Sequence, residues 1–250
     1  MDNNNNYQWA NKSVFVEQER GVVAKKFFAN VFLWMFVALS VSTLAAYVVS
    51  SSPALLSQLM NLETGKNTVL GWIAMFAPLG LVMLMGAGFS RLSYGALLGV
   101  FVLFSVLLGV SLSYILLIYT SGSLVACFGA AAGIFGIMAF LGYTTEVDLT
   151  KFGPILMVGV AGLFIASIIN MFLGSPTFSY VMSFFGVAIF TALTAYDVQK
   201  LKRIGAGLEE SGDPIVQADG KKLAIMGALS LYLDFINIFL FLLRIFGDRR

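Results

Sequence analysis

Residues 221–246 read KKLAIMGALSLYLDFINIFLFLLRIF. After Lys221 and Lys222 the run stays predominantly apolar to Arg244, and a single carboxylate, Asp234, interrupts it. A membrane-spanning helix needs roughly 20 consecutive, mostly apolar residues. The stretch therefore predicts a span with one ionisable group inside it. Such a group is expensive in lipid and is by default a functional hypothesis.

Six more runs of similar character precede it, at 27–50, 69–89, 94–118, 123–143, 154–174 and 178–203. They lack the period-two alternation of transmembrane strands. The fold class is an all-α membrane protein with seven transmembrane helices. Composition agrees. The 250 residues are 59% hydrophobic and 11% charged, whereas soluble domains carry about 25% charged residues. Lipid bilayer must cover much of the surface. The organisation expected is an N-terminal tail at 1–26, a transmembrane domain at 27–246 and a short tail at 247–250. The very short connections at 119–122 and 175–177 predict antiparallel neighbours on either side of each.

Orientation follows from Lys and Arg. One side collects Lys12, Arg20, Lys25, Lys26, Arg91, Lys151, Lys200, Lys202, Arg203, Lys221 and Lys222; the other has Lys66, Arg244, Arg249 and Arg250. The N-terminus is expected in the cytoplasm, and a last segment that re-enters rather than spans is the competing topology. The polar start MDNNNNYQWANKS has no apolar h-region, so the first span is expected to serve as its own insertion signal. The Asn11-Lys12-Ser13 sequon falls on the cytoplasmic side and carries no weight. The Gly-rich acidic stretch GAGLEESGDPIVQADG, 205–220, reads as a solvated linker.

Of the 13 Asp and Glu residues, only Asp197 and Asp234 fall inside apolar spans. Counted from the ends of their helices, both lie at similar depth on consecutive antiparallel helices. Two carboxylates close together in low dielectric cannot easily both ionise, so one holds a proton and the pair titrates as a unit. The chain has no histidine, which removes the usual switch near neutral pH; a carboxyl pair is the natural substitute. Thr194, Tyr196, Tyr232 and Asn237 are the polar groups expected to support them. Arg91, just after the second span, is a candidate cationic latch, or else a snorkelling anchor; Arg244 reads as an anchor. The glycines of GAAAGIFG, 129–136, suit close helix packing.

Other chemistry is narrowed by what is missing. Without histidine there is no Ser-His dyad and no HExxH zinc site. No Walker lysine motif occurs. The single Cys127 excludes an internal disulfide. The net charge of +2 does not point to nucleic acid. No enzyme activity and no cofactor is expected. Tight calcium binding takes six to eight oxygen ligands; Asp197 and Asp234 with water would form a weak, transient site, suited to a permeant ion rather than to storage. Two membrane aspartates also describe an intramembrane aspartyl protease, but Leu231-Tyr232-Leu233-Asp234 lacks that family's Gly-x-Gly-Asp.

The segments ALSLYLDFINIFLFLLRIFG (228–247), TALTAYDVQKLK (191–202) and GYTTEVDLTKFG (142–153) resemble the last helix, the sixth helix and the fourth-to-fifth loop of the Bax inhibitor-1 (transmembrane Bax inhibitor motif) family. The resemblance implies a last helix surrounded by the other six. It implies that Asp197 and Asp234 form a pH sensor controlling a calcium leak, with Arg91 as the latch. A bacterial-type member in the inner membrane is expected. The alternative function is modulation of a membrane-embedded AAA-type protease or of a stress-response partner.

Overall fold

The computed structural model describes residues 21–61, 64–211 and 214–250. The described residues form eight α-helices: α1 (Val22–Ser51), α2 (Pro53–Leu59), α3 (Val69–Gly88), α4 (Tyr94–Ile118), α5 (Ser121–Thr144), α6 (Gly153–Leu173), α7 (Pro176–Ser211) and α8 (Pro214–Phe246). A single 3₁₀ turn, Leu149–Phe152, precedes α6. All but the short α2 contribute a segment long and apolar enough to cross a membrane. The protein is an all-α, multi-pass membrane protein. The described part of its N-terminal region is already helical from Val22, five residues before the expected start; residues 1–20, with the sequon, lie outside the described part.

The last helix is the centre of the bundle. In the α8 span 67% of the most apolar window is buried, against at most 39% in any other span. Leu231, Tyr232, Asp234, Phe235, Ile236, Ile238 and Phe239 are all buried, so the burial goes right round the helix axis. Its neighbours are α1, α4, α5 and α7. Four spans form the cage, not six. The α3 helix packs on α4 and α2, and α6 packs on α7; only 6% of the α6 span window is buried. The outer helices thus add a second layer on two sides.

The short connections behave differently from one another. α6 and α7, joined around Gly174 (φ 61°), are packed neighbours. α4 and α5, joined at Tyr119 and Thr120, diverge: α5 packs on α7 and α8 instead. A largely apolar cleft of about 430 Å³ opens between them, floored by Ile236 and Phe239 of α8. A short connection fixes direction but not lateral contact; α8 takes the intervening space.

Close approach is set by glycines other than those singled out in 129–136. A methyl at Gly129, Gly133 or Gly136 would meet nothing within 4 Å. At Gly142 it would strike the backbone of Ala195 on α7, at Gly109 the backbone of Ser42 on α1, and at Gly186 the ring of Phe241. Backbone polar groups in lipid must be satisfied within the protein. Pro78 inside α3 has no N–H to give to Ala74; Ser111 Oγ of α4 donates to that freed carbonyl at 2.6 Å.

The described residues of 205–220 extend two helices rather than forming a linker. α7 continues to Ser211 and α8 starts at Pro214. At 36 and 33 residues these helices are about 50 Å long at 1.5 Å per residue, well beyond the roughly 30 Å hydrocarbon core. They project from the basic end of the bundle. Glu209 on this projection accepts a hydrogen bond from the Gly21 amide, tying down the start of α1. At the other end, residues 247–250 are also held. Thr120 N donates to Asp248 O at 3.0 Å and Arg250 N donates to Ile118 O at 2.9 Å.

Gly142→Ala should destabilise the protein by about 1–3 kcal/mol, since backbone cannot move aside for the new methyl. Gly133→Ala on the same helix should be neutral or gain up to about 1 kcal/mol from helix propensity. Thermal unfolding of both variants in detergent measures the difference.

Candidate functional site

The register of α7 against α8 is read from three contacts: Gly220 faces Leu208, Gly227 faces Leu201, and Gly186 faces Phe241. Residues seven apart share a helix face, two turns on. Asp234 lies seven residues beyond Gly227, and Asp197 lies one turn before Leu201. Both therefore sit on the α7–α8 seam, with Asp234 about one helical turn, ~5 Å, further from the basic end. The two carboxyls interact electrostatically.

Their environments differ. Asp234 is 4% exposed, and its Oδ2 is sealed with no hydrogen-bond partner among the described residues. Asp197 is half-buried and also feels the Lys200 ammonium one turn along α7. A buried polar atom left unpaired costs free energy, and a charged one costs more. The outer carboxyl sits towards the basic end and the inner one is enclosed. The next polar group along the seam, Thr191 Oγ1, is likewise buried without a partner among the described residues. No group of three or more Asp, Glu, Cys or His side chains that could hold a metal occurs among the described residues.

The other residues singled out from sequence go elsewhere. Arg91 is exposed on the turn between α3 and α4, and no ion pair to either aspartate occurs among the described residues. The carbonyls of that turn, Phe89 and Leu92, are approached by Lys222 of α8 at 3.3 and 3.5 Å. Tyr196 packs its ring against Gly153 at the start of α6. Asn237 Nδ2 donates to Leu233 O of its own helix at 2.8 Å. Thr194, on the seam at the level of Asp234, bonds back to Phe190 O at 2.8 Å.

Tyr232 is fully buried but points away from the pair, since two residues along a helix turn the side chain by about 200°. Its hydroxyl lies 2.6 Å from Ser42 Oγ. Ser42 spends its proton on Ser105 O at 2.7 Å, so Tyr232 must be the donor to Ser42. The phenol ring packs edge-on against Phe104. The chain Tyr232–Ser42–Ser105 fastens α8 to α1 and α4. Ser42 and Ser105 were not legible as partners, because single serines are common in apolar helices. Gln199 carries a clearer signal, as an amide near the end of an apolar span. It is 5% exposed and holds the loop after α5: Leu149 N donates to its Oε1 at 2.8 Å, and its Nε2 donates to Val147 O at 2.7 Å.

Beside that loop, Asp148 accepts from Thr150 and from Arg203 Nη2 at 2.6 Å. The Thr150 hydroxyl, then Arg203, hold its carboxyl down at about 2. A group with a depressed native pKa stabilises above its ordinary value and loses that contribution as pH falls through the native one. Slow hydrogen exchange across 145–152 should therefore persist at pH 4 in the wild type and accelerate there in Arg203→Gln. Ser42→Ala should cost about 1–3 kcal/mol, because it orphans the buried Tyr232 donor. Tyr232→Phe should cost less, about 1 kcal/mol, because Ser42 keeps its acceptor on Ser105. Thermal unfolding ranks the two.

Comparison with known proteins agrees with this architecture. Residues 24–250 match the family described as inhibitor of apoptosis-promoting Bax1. The chain is 40% identical to the inner membrane protein YbhL of Escherichia coli K12 over 224 residues, covering 90% of this chain and 92% of YbhL. It is 38% identical over 237 residues to a protein of Borreliella burgdorferi, covering 94% and 97%. It is also 38% identical over 228 residues to protein RP147 of Rickettsia prowazekii, covering 90% and 91%. With its caged last helix, its seven spans and relatives matched nearly end to end, this chain belongs to the Bax inhibitor-1 family.

Proposed function

We propose that this protein is a pH-sensitive calcium leak pathway of a bacterial inner membrane, with its basic end in the cytoplasm and Asp197 and Asp234 as sensor and gate. The observation that carries the reading is Asp234 itself. It is an enclosed carboxyl with an unpaired oxygen, one turn from a second carboxyl, in the most buried helix of the bundle. An apolar side chain would be the cheaper occupant of that position in lipid. A group retained there against that cost needs a proton or a cation to neutralise it.

In the protonated state a shared proton leaves the pair with a single negative charge and no like-charge repulsion, and the seam stays closed. Loss of that proton leaves two like charges at short range in low dielectric, and the repulsion is relieved by separation of α7 from α8 or by entry of a cation. Calcium suits that role because it takes oxygen ligands in flexible geometry. Two carboxylates completed by water bind it weakly enough to let it leave. Thr191 and Asn237, further along the same two helices, supply further oxygens towards the opposite end.

The sign of the pH dependence follows. Flux should rise from pH 6 to pH 8 as the pair deprotonates. Calcium entry into proteoliposomes of wild type, Asp197→Asn and Asp234→Asn measures it. Both variants should flatten the profile, because neither leaves two carboxylates to repel each other when the proton is lost. Flux no greater than in protein-free liposomes, or an unaltered profile in both variants, would sink the proposal.

A further inference from the structure

At the end of the bundle opposite the basic one, α6, α7, α8 and the residues after α8 line an open cavity of about 550 Å³. Two guanidinium side chains line it, Arg244 from the last turn of α8 and Arg249 from the four residues that follow. Asn170, Ser175, Ser179 and Tyr180 complete its polar wall. No carboxylate forms an ion pair with either arginine among the described residues. Both arginines are exposed and line the same concave space, and Asp248, next to Arg249, is not among its lining residues.

Neither arginine is left to drift. Arg244 stacks on the Phe241 ring, 5.8 Å from its centroid. Arg249 pairs through its backbone with Tyr119 and lies over that ring at 5.9 Å. Hydrogen bonds from Thr120 N to Asp248 O and from Arg250 N to Ile118 O fix the residues on either side. Holding like charges together costs energy, and preorganisation of this kind is useful when an anion is to be met by both. Arginine forks match the oxygens of a phosphate.

The depth of the cavity names the source of that phosphate. Its walls come from the ends of three spans, at Leu173, Pro176 and Phe246, which is where lipid headgroups lie. Phe172, Leu173, Tyr180 and Phe184 are exposed beside it and offer apolar surface to an acyl chain. We propose that this cavity binds the phosphate of an anionic phospholipid in the adjoining leaflet.

Native mass spectrometry of the full chain in detergent, titrated with phosphatidylglycerol or phosphatidylcholine of equal acyl chains, tests the assignment. Wild type should retain phosphatidylglycerol about tenfold better, because the choline ammonium of phosphatidylcholine offsets the phosphate charge that the two arginines would meet. Arg244→Gln and Arg249→Gln should each reduce that preference, and the double variant should abolish it. Arg91→Gln, at the other end, should keep it. If Arg244→Gln misfolds, Arg249→Gln still decides, because Arg249 is exposed and follows the end of α8. Equal retention of the two lipids by wild type, or an unchanged preference in the double variant, overturns the site. Displacement of phosphatidylglycerol by millimolar inorganic phosphate would show a free-anion site and overturn the lipid assignment.

Discussion

The enclosure of α8 is the constraint on which the other helices depend. A helix in contact with lipid can turn its polar groups along the surface towards the headgroups, but a helix caged by four others cannot. The polar side chains on the enclosed part of α8 must be met within the protein. Tyr232 is met by Ser42, which passes the bond on to Ser105. Asn237 is met by its own backbone. Asp234 is met by no hydrogen-bond donor among the described residues, and instead has another carboxyl within electrostatic reach. The same cage that closes round the apolar residues of α8 is what makes its one enclosed carboxyl, Asp234, unusual.

The cage itself is held by small residues and hydroxyls rather than by a conventional apolar collapse. Lipid tails are as apolar as the side chains, so helices gain from close packing and from satisfied polar groups. Gly109 brings α4 against α1, and Gly142 brings α5 against α7. Ser111 repairs the gap that Pro78 leaves in α3. These contacts fix the helices laterally while leaving a cleft between α4 and α5.

The two ends of the bundle are built differently. At the basic end α7 and α8 run on as a helical hairpin, Glu209 holds the start of α1, and Gln199, Asp148 and Arg203 hold the loop after α5. At the opposite end a short tail is fastened by backbone hydrogen bonds to the α4–α5 turn. Asp197 lies on the hairpin's own helix, two residues from Gln199. A movement of the hairpin would therefore reach the loop and the carboxyl pair together.

Hydropathy alone made seven spans legible, because the length of an apolar run is set by the thickness of the bilayer. The scarcity of charge likewise picked out Asp197 and Asp234, and their spacing along consecutive helices put them at comparable depth. The direction of side chains around each axis, and which helices touch, was not legible. Hydropathy reports distance along the membrane normal and is nearly blind to lateral position in an all-apolar bundle. That is why the 129–136 glycines looked like packing sites while Gly142 and Gly109 did the packing. It is also why sequence places Tyr232 beside an aspartate from which its side chain points away, and Arg91 beside a pair with which it forms no ion pair among the described residues. The polar stretch 205–220 read as a linker because its charges suit water, yet a helix in water can carry them equally well once both ends are already helical. Sequence by itself determined the spans and the two intramembrane carboxyls, since those follow from the cost of charge in lipid. Only the tertiary structure decided their surroundings, since those depend on which helix occupies the centre.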